Sequence, residues 1–240
     1  IRPRDWSSDV CSSDLGTITD NVTGLMWQKV DAGESTWENA VARAASVATG
    51  GYTDWRLPNA KESFSILNHQ KVNPAIDTIY FTNTGAEYWW TSDRQANDSL
   101  KIWVTNAGGG IGNHPKAETI SAGGVKKFHI RVVRDVNTLQ SVPFRFTANS
   151  NGTIQDHITG LVWQQVAYFD SLTWENALTY ADTCTWAGYS DWRLPNIKEM
   201  ESINDESKIN PSIDSTFFTR SEEHTSELQS RGLISYAVFC

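Results

Sequence analysis

An α+β fold repeated in tandem, with the second repeat truncated, is the architecture this sequence predicts. The repetition is direct: GYTDWRLPNAKE at residues 51–62 returns as GYSDWRLPNIKE at residues 188–199, a register of 137 residues. The same register aligns Trp37-Glu38-Asn39-Ala40 with Trp174-Glu175-Asn176-Ala177, Ile66 with Ile203, Asn73-Pro74 with Asn210-Pro211 and Phe81-Thr82 with Phe218-Thr219. TGLMWQ at residues 23–28 and TGLVWQ at residues 159–164 sit one residue closer, which puts a single insertion before Trp174. A period this long marks a duplicated domain rather than a solenoid, because about 120 residues can close a core alone. Inside the repeat, helical patterns come early and strand patterns late. The second repeat breaks off at Thr219, before its late strands.

Taking the first repeat in order, residues 16–24 are rich in β-branched side chains and end in a turn, and residues 25–30 alternate apolar positions, so two short strands are expected. Ser35-Thr36-Trp37-Glu38 has the form of a capping box, and Trp37, Ala40, Val41, Ala44, Ala45 and Ala48 recur at helical spacing until Gly50-Gly51. After the DWRLPN turn, Asn59 can cap a second helix with Glu62 three residues on, burying Phe64, Ile66 and Leu67; Asn196, Glu199, Met200 and Ile203 offer the same in the second repeat. Residues 88–92, 100–104 and 128–133 read as three strands, separated by the glycine-rich stretch 108–112 and by residues 114–124. Without its late sheet the second repeat is expected to be poorly folded alone, leaving Trp163, Trp174, Ile203 and Phe217 partly uncovered.

The two ends stand apart from this pattern. RSEEHTSELQS at residues 220–230, read back into codons, permits a sequence whose reverse complement translates in frame as DWSSDVCSSDL, residues 5–15. Both resemble translated sequencing-library adapters, and ISYAVFC at residues 234–240 resembles their continuation, so 1–15 and 220–240 are set aside as foreign to the fold. The expected division is a first domain at 16–137 and a truncated second domain at 138–219, with the natural segment broken off at both ends.

Two arginines and three carboxylates leave with each end, so the formal charge moves from −8 to −6. No basic run interleaves with aromatics, which counts against nucleic acid as a partner. No apolar run reaches the ~18 residues of a spanning helix, so no membrane insertion is expected. Cys184 is the one cysteine outside the set-aside ends, and counting leaves open a buried thiol or a disulfide.

TGLMWQ, the W-E-N-A helix start, GY-[ST]-DWRLPN-x-KE, P-x-ID-x-x-[YF]-F, YWWTSD and the closing HIRVVR together resemble the Lcl C-terminal domain family, best known from the ends of bacterial collagen-like adhesins. That resemblance implies a C-type-lectin-like fold, two helices flanking a small twisted antiparallel sheet, with long loops on one side. It also implies a secreted, cell-surface or periplasmic bacterial protein and, in some members, binding to glycans such as sulfated polysaccharides. Calcium-dependent lectins of related fold carry Glu-Pro-Asn or Gln-Pro-Asp and Trp-Asn-Asp; Leu57-Pro58-Asn59 lacks the leading carboxylate or amide, so no calcium site is carried over. Family members with a cysteine at the position of Cys184 often pair it in the last strand, where Val132 or Val133 stands in the first repeat.

Candidate site residues fall into two groups. Asp54, Trp55, Arg56, Pro58, Asn59 and Glu62, with Asp191, Trp192, Arg193, Pro195, Asn196 and Glu199, form the corner common to both repeats. A carboxylate and a guanidinium two apart, ahead of a helix, read first as a structural pairing, with a ligand site as the lesser alternative, and both tryptophans as core. The second group, Trp89, Asn106, His114 and Lys116 in the late loops, combines an aromatic face with polar and basic groups suited to a sugar or a sulfate. Trp90 and Trp103 are expected to point into the core, Trp89 is left open, and the 108–112 loop is either a lid or a turn. His69, His114, His129 and His157 are isolated, no H-x-x-x-H or C-x-x-C occurs, and Cys184 lacks an activating neighbour, so neither metal, cofactor nor catalysis is expected. A non-catalytic module binding a glycan or a surface protein follows. A structural spacer or assembly domain is the alternative. An enzyme is a distant third, because lectin-like oxidases rely on a reactive cysteine pair that the first repeat lacks.

Overall fold

The computed structural model describes residues 10–12, 15–82, 88–119, 123–136, 144–166, 172–209, 212–219 and 238–239. Its contacts divide the chain into two units, Arg2–Leu139 and Gln140–Cys240. Each is mixed α+β, built on small, mainly antiparallel sheets.

In the first repeat the expected hairpin forms as β2 (Thr17–Asp20) and β3 (Leu25–Gln28). The buried Asp20 carboxylate closes its turn by accepting from the Val22 and Thr23 amides and, at 2.7 Å, from the Thr23 hydroxyl. β1 (Val10–Ser12) and β9 (Val133–Asp135) flank the hairpin in the order β1-β2-β3-β9. Ile18, Leu25, Trp27 and Val133 from this sheet enclose a small core with Ile66, Ile76 and Phe81. Trp27 meets Phe81 edge to face at 6.4 Å.

A second sheet follows, ordered β4-β8-β5-β6-β7: β4 (Glu34–Ser35), β5 (Tyr88–Gln95), β6 (Asp98–Asn106), β7 (Ile111–Pro115) and β8 (Phe128–His129). α1 (Trp37–Ala44) covers one face, where Trp37, Ala40 and Ala44 pack with Trp90, Ile102, Val104 and Phe128. α2 (Ala60–Ser65) meets the other, through a 2.6 Å bond between the Ser63 and Thr105 hydroxyls. Alternation along β6 puts Val104 and Thr105 on opposite faces, so this central sheet is covered twice.

Several expectations are corrected. The capping box at Ser35 does not form: Ser35 lies in β4, its carbonyl accepts the Trp90 indole, and Thr36 takes the N-cap position without a side-chain bond. α1 is two turns long and ends at Ala44, leaving Val41, Ala45 and Ala48 exposed, because only the stripe beneath the sheet has anything to pack on. The expected strand over 128–133 is two strands. Phe128–His129 belongs to the second sheet, Val133–Asp135 to the first, and Ile130 is tied by its amide to Gly33 on the way across. Ile111–Pro115, placed between strands from sequence, is itself β7. Residues 108–110 form its hairpin turn. Gly109 adopts φ 94 there, and a Cβ would come within 3.3 Å of the Ala75 side chain, so glycine is required.

The second repeat rebuilds the first sheet from β10 (Phe146–Ala148), β11 (Thr153–Asp156), β12 (Val162–Gln164), β13 (Trp192–Arg193) and β14 (Val238–Phe239), in the order β10-β11-β12-β14-β13. α3 (Trp174–Thr183) and α4 (Ile197–Ile203) repeat the two helices. Ile154, Leu161, Trp163, Ile203 and Phe218 close a core equivalent to the small one of the first repeat, with Trp163 edge-on to Phe218 at 6.3 Å. Trp163 and Ile203 are therefore buried, against expectation, whereas Trp174 is exposed and Phe217 half-buried. The repeat contains two cores, and only the second one needs the late sheet.

The ends set aside as foreign contribute strands. Val10–Ser12 pairs with β2, and Val238 takes against Trp163 and Arg193 the register that Val133 takes against Trp27 and Arg56. A strand edge offers unpaired backbone groups that an extended segment can satisfy whatever its side chains. The rest of 220–240 and residues 1–9, 13 and 14 lie outside the described residues. Cys184 is a free thiol, and the Gln164 amide donates to its sulfur at 3.4 Å.

Candidate ligand-binding site

The DWRLPN corner is a clamp between the first sheet and a helix start. Arg56 donates to both carboxylate oxygens of Glu62, at 2.7 and 2.8 Å, and to the Leu57 carbonyl. Glu62 is held for this by the capping box: the Asn59 amide donates to its carboxylate, and its own amide donates to the Asn59 side chain at 2.7 Å. The hydrogen bonds from Arg56 to Glu62 outweigh burial and, with Asp135, raise the guanidinium further above its ordinary range. The second repeat reproduces the clamp, with Arg193 on Glu199 at 2.8 and 2.6 Å and Asn196 closing the box. Burial pushes Glu199 upward, but the bonds from Arg193 and the helix start prevail and hold its carboxyl below the usual range.

The expected pairing of Asp54 with Arg56 does not occur. Arg56 turns forward to Glu62 and Asp135, and Asp54 instead binds Arg134 of β9 at 2.7 and 3.0 Å. Phe239 occupies the register of Arg134 in the second repeat, and Asp191 there is exposed. Trp55 and Trp192 are core residues whose indoles donate to the carbonyls of Thr49 and Trp186. Pro58 is buried, its carbonyl accepting the Ser92 amide, and Pro195 is buried too. Apart from the exposed Asp54 and Asp191, the corner works inward.

The late group divides differently. Trp89 is 3% exposed and offers no face to solvent, a correction to its place among ligand-binding residues. Its strand is central and covered on both sides, so consecutive Trp89 and Trp90 are both buried, while Trp103, expected in the core, is only half-buried. Asn106 braces the β6–β7 turn: its side chain accepts from the Gly108 amide at 2.8 Å and from the Gly110 amide.

His114 in β7 and Lys116, one residue past its end and still bonded by its amide to the Leu100 carbonyl, remain at the surface on the same side of the sheet. His114 packs edge-on against Tyr88 and Phe128, both at 5.2 Å. Burial, then the nearby Lys126 charge, hold its pKa below the ordinary value despite an opposing pull from Glu118. Lys126 lies 5.4 Å above the Phe128 ring and pairs with Glu118. Lys116 sits over the Trp37 ring at 5.5 Å and pairs with Glu38 at 3.1 Å, and Arg94 approaches the same ring at 4.9 Å. A strip results: Tyr88, His114, Lys126, Lys116 and Arg94, aromatic and cationic together. Tyr88, Lys126 and Arg94 escape the sequence argument, although one signal was available. Residues 88–129 hold five Lys and Arg against three Asp and Glu, a positive island in a chain of net charge −8.

Among the described residues no group of three or more His, Cys, Asp or Glu could hold a metal ion, and no helix is long and apolar enough to cross a membrane. The strip can stack on a flat apolar face and hold an anion by charge-assisted hydrogen bonds. The sequence pattern of the Lcl C-terminal domain matches residues 16–134 and 152–237. No curated protein and no solved structure matches the chain.

Proposed function

The chain belongs to the Lcl C-terminal domain family, and on that premise we propose that it is a non-catalytic ligand-binding module of the bacterial cell surface or exterior, with a C-type-lectin-like fold. Its ligand is an anionic glycan or a surface protein that presents comparable acidic groups. The observation that carries this proposal is the strip of Tyr88, His114, Lys126, Lys116 and Arg94, which sets cations beside aromatic rings on an otherwise acidic protein. Aromatic faces suit the apolar side of a sugar ring, and guanidinium and ammonium groups suit sulfate. Among the described residues the strip occurs in the first repeat alone.

Heparin-affinity chromatography of the full chain tests the proposal. Retention at low salt that weakens as salt screens the cations, and elution of Lys116→Ala/Lys126→Ala at distinctly lower salt, are the expected results. Passage of the unaltered chain without retention at low salt would overturn it. A spacer or assembly role is the second reading, favoured because Lys116 already has an internal partner in Glu38. In that case the double variant would lose stability and leave retention unchanged.

A further inference from the structure

We propose that Gly112 is the position through which the strip selects its ligand: it opens a notch in β7 where a saccharide ring of an anionic glycan lies against the backbone, beside the rings of His114 and Tyr88. This rests on the functional reading above and deepens it, by assigning a residue that carries neither charge nor side chain.

A glycine inside a strand gives up backbone order and side-chain packing, so it calls for a reason. The usual ones are a bulge, a positive φ, a neighbouring group that leaves no room for a Cβ, or a ligand that comes close. Four glycines fall within residues 108–112, and three have their reason in the fold. Gly109 has φ 94, and a Cβ at Gly108 or Gly110 would stand 2.9 or 2.8 Å from the Asn106 side chain that braces the turn. Gly112 differs on every count. It pairs with Val104 within an unbroken register from Thr105–Ile111 to Lys101–Pro115, so it marks no bulge. Its φ lies outside the left-handed region, and an L side chain fits its backbone. Apart from its chain neighbours, no described atom lies within 4 Å of the place a Cβ would take. No described backbone or side chain accounts for the glycine, and a ligand does.

The surroundings name the ligand's chemistry. β7 is the edge of its sheet, and Gly112 shares a face with His114, two residues on, with Val104 and Ile102 opposite the two. Val104 is 1% exposed whereas Gly112 is half-buried, so the notch opens beside a closed floor. The His114 ring meets Tyr88 at 5.2 Å, and Tyr88 is 38% exposed. Phe128 touches both rings and carries Lys126 at 5.4 Å. A pyranose ring presents flat C–H faces that suit such aromatic groups, and its sulfate or carboxylate substituents suit the neighbouring ammonium. Any side chain at position 112 would occupy the ring's place.

Gly112→Val in the full chain tests this, because it removes no charge. Valine favours strands, so the Tm should equal or exceed that of the unaltered chain. Heparin affinity should nevertheless fall at least about tenfold, with Gly112→Ala between the two. A polyanion releases counterions in proportion to the cations it engages, so the slope of log affinity against log salt should be unchanged in Gly112→Val and smaller in Lys116→Ala/Lys126→Ala. Undiminished affinity in Gly112→Val would overturn the notch and leave the functional reading standing. A lowered Tm in that variant would overturn it as well, by showing that the glycine serves the fold. An unaltered chain that heparin fails to retain would remove the functional reading itself, and the notch with it.

Discussion

Trp37 and Trp174 begin the same Trp-Glu-Asn-Ala helix start and end in opposite environments, 7% and 63% exposed. The helix forms in both places, since its start signals and small-residue stripe are local. Its burial does not follow. Trp37 is enclosed because β5 and β6 lie across α1, bringing Trp90, Ile102 and Val104 and the Thr91 carbonyl that accepts its indole. α3 has no such sheet among the described residues. The identical segments thus show that the helix start is set locally, whereas its burial is set by the sheet laid across it.

The largest expected difference tests that comparison directly. Trp37→Ala should destabilise the first repeat by about 3–5 kcal/mol in urea unfolding, the cost of emptying a core position. Trp174→Ala should stay within about 0.5 kcal/mol, as at an exposed site. Equal losses would show that α3 is covered after all. Next comes the clamp: Glu62→Ala and Glu199→Ala each remove the bidentate partner of a partly buried guanidinium, with about 2 kcal/mol expected in both, although Arg56 keeps its bonds to Asp135. A gap between them above about 1 kcal/mol would mean that the corners differ in strength as well as in sequence. For Glu199 the sign with pH is fixed. Its folded pKa lies below the ordinary 4.5, so its contribution is complete above that pH and is lost as pH falls through the folded value.

The smallest effect belongs to His114, which has no described counterpart in the second repeat. Its folded pKa lies below the ordinary 6.5, so the unfolded chain takes up the proton first. Stability is therefore intact above pH 6.5 and declines as pH falls toward the folded value. The Tm difference between pH 7.5 and 5.5 should shrink in His114→Gln, and an unaltered difference would remove His114 from the account.

How far the sequence was legible depended on the reach of each interaction. Asn59 with Glu62 was readable because both partners lie within one turn of helix, and the same pair returns as Asn196 with Glu199. The partner of Asp54 was not, since Arg134 is eighty residues away and arrives only through the pairing of β9 with β3. Trp89 was misplaced for a related reason. Alternation assigns adjacent residues to opposite faces but is silent on whether both faces are covered, and a central strand between α1 and α2 buries both. The strip gathers Tyr88, His114, Lys116 and Lys126 from separate stretches, and no motif marks Lys126.

What the sequence by itself determined is the duplication, the helix starts, the Asn59–Glu62 and Asn196–Glu199 capping boxes and the β2–β3 hairpin. These rest on backbone propensity and on contacts between near neighbours, which carry their own information. The tertiary structure alone decided which tryptophans are buried, which carboxylate meets which guanidinium across sheets, and that an extended end can fill the place of β9. Those outcomes depend on which surfaces meet, and burial is a property of the pair of surfaces rather than of either one.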